Sequence, residues 1–157
     1  MKPFNYVVLF FVLSFMTSCG DGSTYSERQS ISQEVWTYDA PMVFSFDIAS
    51  SDILNDLILS LEYSTDFGYQ NLYVKIITEY PSQKSTEDIV SLNLTDGRGS
   101  FNGDCSGSKC TTDILLQENF RFKETGNHTI KIYQNSRESE LKSITGGTLK
   151  LFEKQKN

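Results

Sequence analysis

From Met42 onward the chain alternates apolar and polar positions with a period of two. Met42, Phe44, Phe46 and Ile48 interleave with Val43, Ser45 and Asp47, as in a strand with one face turned inward. Leu57, Leu59, Leu61 and Tyr63 repeat the pattern against Ile58, Ser60 and Glu62, and Leu72, Val74 and Ile76 against Tyr73, Lys75 and Ile77. A fourth strand is expected over Glu87–Leu94, a fifth at Ile114–Glu118, and Phe120-Arg121-Phe122 then leads into a turn at Thr125-Gly126-Asn127. His128, Ile130 and Ile132 form another inner row, and Thr148–Phe152 a last strand. Turn residues separate these runs: Ser50-Ser51-Asp52, Asp66–Gln70, Tyr80–Lys84, and the Gly-, Ser-, Asp- and Asn-rich segment Thr95–Thr112. Arg137–Leu141 reads as a helical turn or a loop. About eight short strands and no long helix predict an all-β fold, an antiparallel β-sandwich over residues 34–154, with a polar tail at 155–157.

The N-terminal end follows different rules. Lys2 precedes an apolar run from Tyr6 to Met16, broken only by Ser14. That run is too short for a bilayer span, which takes ~20 residues, and it matches the apolar core of a signal peptide. Thr17 and Ser18 are small, as the binding pocket of a signal peptidase requires, and Cys19 stands at the cut. Residues 1–18 are therefore expected to be a lipoprotein signal peptide, with the Cys19 thiol receiving a diacylglyceryl group. The competing reading is an ordinary secretory signal with a cysteine there by chance. Met16 replaces the branched aliphatic residue usual three positions before the cysteine. Lipidation anchors the protein to a membrane through its own N-terminus, in the cell envelope. Gly20 is not the aspartate that holds many lipoproteins at the inner membrane, so the outer membrane is preferred. Residues 19–33 would then be a lipidated, flexible tether, because Asp21–Gln33 is polar and rich in Gly, Ser, Thr and Glu.

Charge narrows the partners. Without Lys2, 13 basic side chains face 20 acidic ones. Such a surplus of acid excludes nucleic acid, whose phosphates require Lys and Arg. With Cys19 committed to lipid, Cys105 and Cys110 remain, and an oxidising compartment favours a disulfide between them. A metal pair or a redox site are the alternatives. The first lacks further ligands nearby, and the second lacks the C-x-x-C spacing before a helix.

The chemistry of an enzyme is not announced. The chain has one histidine, His128, on the inner row of a strand, where a structural role is expected. No nucleophile elbow, zinc-binding H-E-x-x-H or phosphate-cradling glycine loop occurs. Asp96-Gly97-Arg98-Gly99 and Asn102-Gly103-Asp104 lack the ordered oxygen ligands of a calcium loop and read as turns. No catalytic residue, metal or cofactor is expected, and no small-molecule ligand is indicated. Trp36, Tyr38, Tyr63, Phe67, Tyr69 and Tyr73 could form a platform for sugar, although aromatics on strands more often fill cores. Phe67 and Tyr69 fall in a turn and are the expected exposed pair, so a cell-surface glycan-binding module is the alternative function.

A set of short segments, in order, carries one further reading. After the lipidation signal come Val35-Trp36, Phe44-Ser45-Phe46-Asp47-Ile48, Tyr69-Gln70-Asn71-Leu72-Tyr73, Asp96-Gly97-Arg98-Gly99 and Gly103. Phe122, Gly126 and His128–Ile132 follow, then Gln134, Arg137, Leu141 and Ile144-Thr145-Gly146-Gly147. Their order and spacing over nearly the whole mature chain resemble the gliding motility lipoprotein GldH family. Ser136 stands where that family commonly has Met, and the Cys105–Cys110 segment looks like a local insertion. The resemblance implies a non-enzymatic lipoprotein of gliding gram-negative bacteria. It would be an accessory component of the gliding machinery, working with other motility proteins of the envelope. Only Cys19, as the lipidated residue, carries over.

Overall fold

The computed structural model describes residues 21–154. The signal peptide, Cys19 and the tail at 155–157 lie outside the described residues. Eleven strands follow in order: β1 (Tyr25–Ser30), β2 (Val35–Thr37), β3 (Met42–Ile48), β4 (Leu54–Ser64), β5 (Asn71–Glu79), β6 (Ser85–Asn93), β7 (Asp104–Ser106), β8 (Lys109–Phe120), β9 (Gly126–Gln134), β10 (Glu140–Lys142) and β11 (Ile144–Lys154). They form an antiparallel β-sandwich. One sheet has the order β1-β11-β4-β8-β7, the other β3-β9-β5-β6, and β10 pairs with β2 at one end. Alternation along β3, β4, β5, β9 and β11 places Phe44, Leu59, Leu61, Val74, Ile132 and Leu149 in one core between the sheets. Each such side chain contributes about 1.5–3 kcal/mol by leaving water.

Two expectations are corrected. The tether does not extend to Gln33. Tyr25–Ser30 is an edge strand, matched to β11 from Tyr25↔Leu151 to Ser30↔Gly146. Its sequence shows no apolar alternation because backbone hydrogen bonds, and not a buried face, hold it. Two side chains add to that hold: the Tyr25 ring lies 5.0 Å from Phe46, and Arg28 grips Glu62 with both Nε and Nη2 at 2.7 and 2.6 Å. Arg28 can cross β11 only because Gly146 carries no side chain; a Cβ there would sit 3.2 Å from Nη2 and 2.6 Å from the Gln29 carbonyl. The second correction is the segment Arg137–Leu141. Of the two readings, helical turn or loop, the loop holds over residues 137–139, while Glu140–Lys142 is a strand paired with β2.

Strand direction defines the two ends. Tyr25 pairs with Leu151 and Leu151 with Leu57, whereas Ile144 pairs with Tyr63 at the other end of β4. The start of β1 therefore lies at the end closed by the β3–β4, β5–β6 and β8–β9 loops. The β4–β5, β6–β7 and β9–β10 connections lie at the opposite end.

Candidate functional site

The opposite end is built on Tyr63. Its ring is fully buried, and its hydroxyl lies 2.7 Å from Thr112 Oγ1 and donates to the Leu94 carbonyl at 3.2 Å. Phe67 stacks edge-on against it, with centroids 6.1 Å apart. Phe67 was expected on the surface and is instead only 5% exposed. The cause is local: its N–H bonds to the Ser64 carbonyl at 2.9 Å, and this turn folds the ring back over the core. Tyr69 packs edge-on against Phe67 at 5.5 Å but stays 46% exposed. Of the other candidate aromatics, Trp36 is core while Tyr38 and Tyr73 are exposed. The six do not form a single platform.

Two exposed tyrosines hold one loop between them. Tyr38 donates its hydroxyl to the Ser136 carbonyl at 2.8 Å, and Tyr69 donates to the Glu138 carboxylate. That hydrogen bond, followed by burial and the carboxylate's charge, pushes the Tyr69 hydroxyl above its ordinary pKa. From below, the buried Gln134 amide organises the same loop. Its Nε2 donates to the Glu138 carbonyl at 2.9 Å, while its Oε1 accepts from the Ser136 N–H and hydroxyl at 2.9 and 2.7 Å. A Met at 136 would keep the N–H bond and lose the one from the hydroxyl. Arg137 projects from the middle of the loop, exposed. Sequence reasoning gave Glu138 no role and named Gln134 only among the residues of the resemblance. Only the polar run Asn135–Glu140 hinted at a turn there.

Beside Tyr69 lies a depression of about 300 Å³ lined by Phe67, Tyr69, Gln70, Asp96 and Phe101. Asp96 is committed to its own turn, with Oδ1 accepting from the N–H groups of Arg98 at 2.8 Å and Ser100 at 2.9 Å. Gln70 ties this turn to the Tyr69 segment: its carbonyl accepts from the N–H groups of Leu94 and Thr95. Gly103 closes the turn against β8, where a Cβ would fall 2.1 Å from the Thr111 carbonyl oxygen. Cys105 and Cys110 are bonded, directly opposite each other in the β7–β8 hairpin. Among the described residues, no three His, Cys, Asp or Glu are grouped to hold a metal ion.

His128, the one histidine, sits at the other end and is fully buried. Its ring meets those of Phe122 at 4.9 Å and Tyr80 at 5.7 Å, and Nδ1 donates to the Gly126 carbonyl at 3.0 Å. Among the described residues no acid or nucleophile hydrogen-bonds to it, and its buried Nε2 has no hydrogen-bond partner.

The assembled surface offers aromatic faces, an exposed arginine, carboxylates and backbone loops. These are the components of a protein-binding surface, where Tyr and Arg are enriched. Some of the segments on which the family resemblance rests lie at this end, among them Val35-Trp36, Tyr69–Leu72, Asp96–Gly99, Gly103 and Gln134–Gly147, whereas Phe44–Ile48, Phe122, Gly126 and His128–Ile132 belong to β3, the β8–β9 loop and β9.

Comparisons with known proteins bear on the family. A "Gliding motility lipoprotein GldH homolog" of Christiangramia forsetii is 26% identical over 151 residues, covering 92% of each chain. The "Gliding motility lipoprotein GldH" of Flavobacterium johnsoniae is 22% identical over 139 residues, covering 88% of this chain and 86% of its own. Among solved structures, the CBM35 from Cellvibrio japonicus Abf62 is similar over 85% of this chain and all of its own at 12% identity, with a TM-score of 0.36. That likeness is too slight to carry an argument. The family model described as GldH lipoprotein matches residues 23–148, and the chain belongs to that family.

Proposed function

We propose that the protein is a lipid-anchored, non-enzymatic accessory component of gliding motility machinery. Cys19 carries the lipid, the outer membrane is its site, and another motility protein of the envelope is its partner. Family membership supports this reading. The observation that carries it is the convergence of Tyr38, Tyr69 and Arg137 on one loop surface at the end remote from the start of β1. Anchoring confines that surface to two dimensions and so raises the effective concentration of a partner in the same membrane.

The test is single-cell gliding in a deletion strain, complemented with the wild-type gene or with Tyr69→Ala/Arg137→Ala. Wild type restores movement. The double variant does not, although it reaches the membrane fraction in equal amount. Normal movement in the deletion strain removes the proposal. Full rescue by the double variant removes the assigned surface.

A further inference from the structure

The early start of the fold restricts how the domain can stand on a membrane. Thr24 already donates its N–H to the Leu151 carbonyl at 2.8 Å, and Asp21 lies 3.1 Å from Lys150 Nζ. Only Gly20 separates Cys19 from Asp21, two residue steps and a contour of about 7 Å when fully extended. If the Asp21–Lys150 contact opens, the leash lengthens to the five steps from Cys19 to Thr24, about 17 Å. The 11 residues of β4 alone run roughly 35 Å along the sandwich.

We infer that a bilayer is the partner of the sandwich end that holds the start of β1, with the β3–β4, β5–β6 and β8–β9 loops resting on lipid headgroups. This rests on lipidation of Cys19, as proposed above. Charge favours the same orientation over lying flat. The loops Ala49–Ile53, Tyr80–Lys84 and Arg121–Thr125 carry Lys84, Arg121 and Lys123 against Asp52 and Glu124, while the whole chain is −6. Glu124 is also occupied, accepting from the Ser82 N–H and hydroxyl, whereas Lys84 and Lys123 make no ion pair among the described residues. At an anionic surface the field reaches ~8 Å in physiological salt, so it acts on these loops and leaves the acidic flanks outside it. The Tyr38–Tyr69–Arg137 surface then points away from the anchoring membrane, toward the space where a partner approaches.

The experiment uses the full chain, made with its signal so that it is acylated. It is reconstituted in phosphatidylethanolamine–phosphatidylglycerol vesicles that contain a headgroup spin-labelled lipid. A fluorophore is placed at Lys84→Cys or Lys123→Cys, or at Arg98→Cys at the remote end. Quenching several-fold stronger at 84 and 123 than at 98 is expected. Equal quenching at the three sites, or stronger quenching at 98, overturns the orientation while an acyl label on Cys19 shows that the anchor stands. Absence of that acyl label overturns both the anchor and the orientation built on it.

Discussion

Tyr63 and Thr112 give the sharpest test of how the remote end is held. The two hydroxyls lie 2.7 Å apart with both residues buried. The Leu94 carbonyl can only accept, so Tyr63 donates to it and Thr112 donates to Tyr63. Tyr63→Phe strands the Thr112 hydroxyl without a partner, which costs about 1–3 kcal/mol. Leu94 is less affected because its carbonyl also accepts the Asn102 N–H at 2.9 Å. Thr112→Val alone costs about 1 kcal/mol, since Tyr63 keeps its bond to Leu94. In the double variant no hydroxyl is stranded, so it should be more stable than the sum of the singles by about 1 kcal/mol. For a domain of this size that coupling corresponds to roughly 3–6 °C in Tm. Urea denaturation of the four proteins, followed by circular dichroism, measures it. Additivity within about 0.3 kcal/mol would refute the hydrogen-bond assignment.

Other outcomes are specific. Gly103→Ala drives a methyl into the Thr111 backbone oxygen, which cannot swing aside, so the β7–β8 hairpin must shift; a loss above about 2 kcal/mol is expected, and an unchanged urea midpoint contradicts it. Reducing the Cys105–Cys110 bond should cost about 2 kcal/mol, the chain-entropy value for so small a ring; equal midpoints with and without reductant would show that the hairpin keeps its shape unaided. Stability should fall in acid. Hydrogen bonds from Arg28 hold Glu62 below the usual carboxylate range, the Asn119 N–H and Lys154 do so for Asp56, and Ser23 takes Asp21 to about 2. Because these folded-state values are depressed, their contribution is complete above the unfolded values near pH 4 and is lost as pH falls toward about 2. Arg28→Gln should flatten that slope, and an unchanged profile speaks against the Arg28–Glu62 contact.

The period-two rows of β3, β4, β5 and β9 were legible because each buries one face, and burial writes apolar residues at alternate positions. The disulfide pair followed from the cysteine count in an oxidising compartment, and the Asp96–Gly99 turn from residues whose backbone preferences are local. β1 left no such trace. An edge strand held by main-chain bonds needs no alternation, so Tyr25–Ser30 looked like a linker. β2 and β10, at three residues each, are shorter than any periodic signal.

The candidate surface divides in the same way. Tyr69 could be singled out as a turn aromatic, but the turn around Phe67 buries one ring and exposes the other, a choice made by the Ser64–Phe67 hydrogen bond and the nearby Tyr63 ring. Nothing in sequence connects Tyr69 with Glu138, 69 residues apart, or Tyr38 with Ser136, 98 apart. The sequence by itself determined the class of fold, the lipidation signal and the family. Tertiary structure alone decided which loops share an end, because strand order is set by pairing between distant segments. It decided the length of the leash for the same reason: only β11, at the far end of the chain, makes a strand of β1.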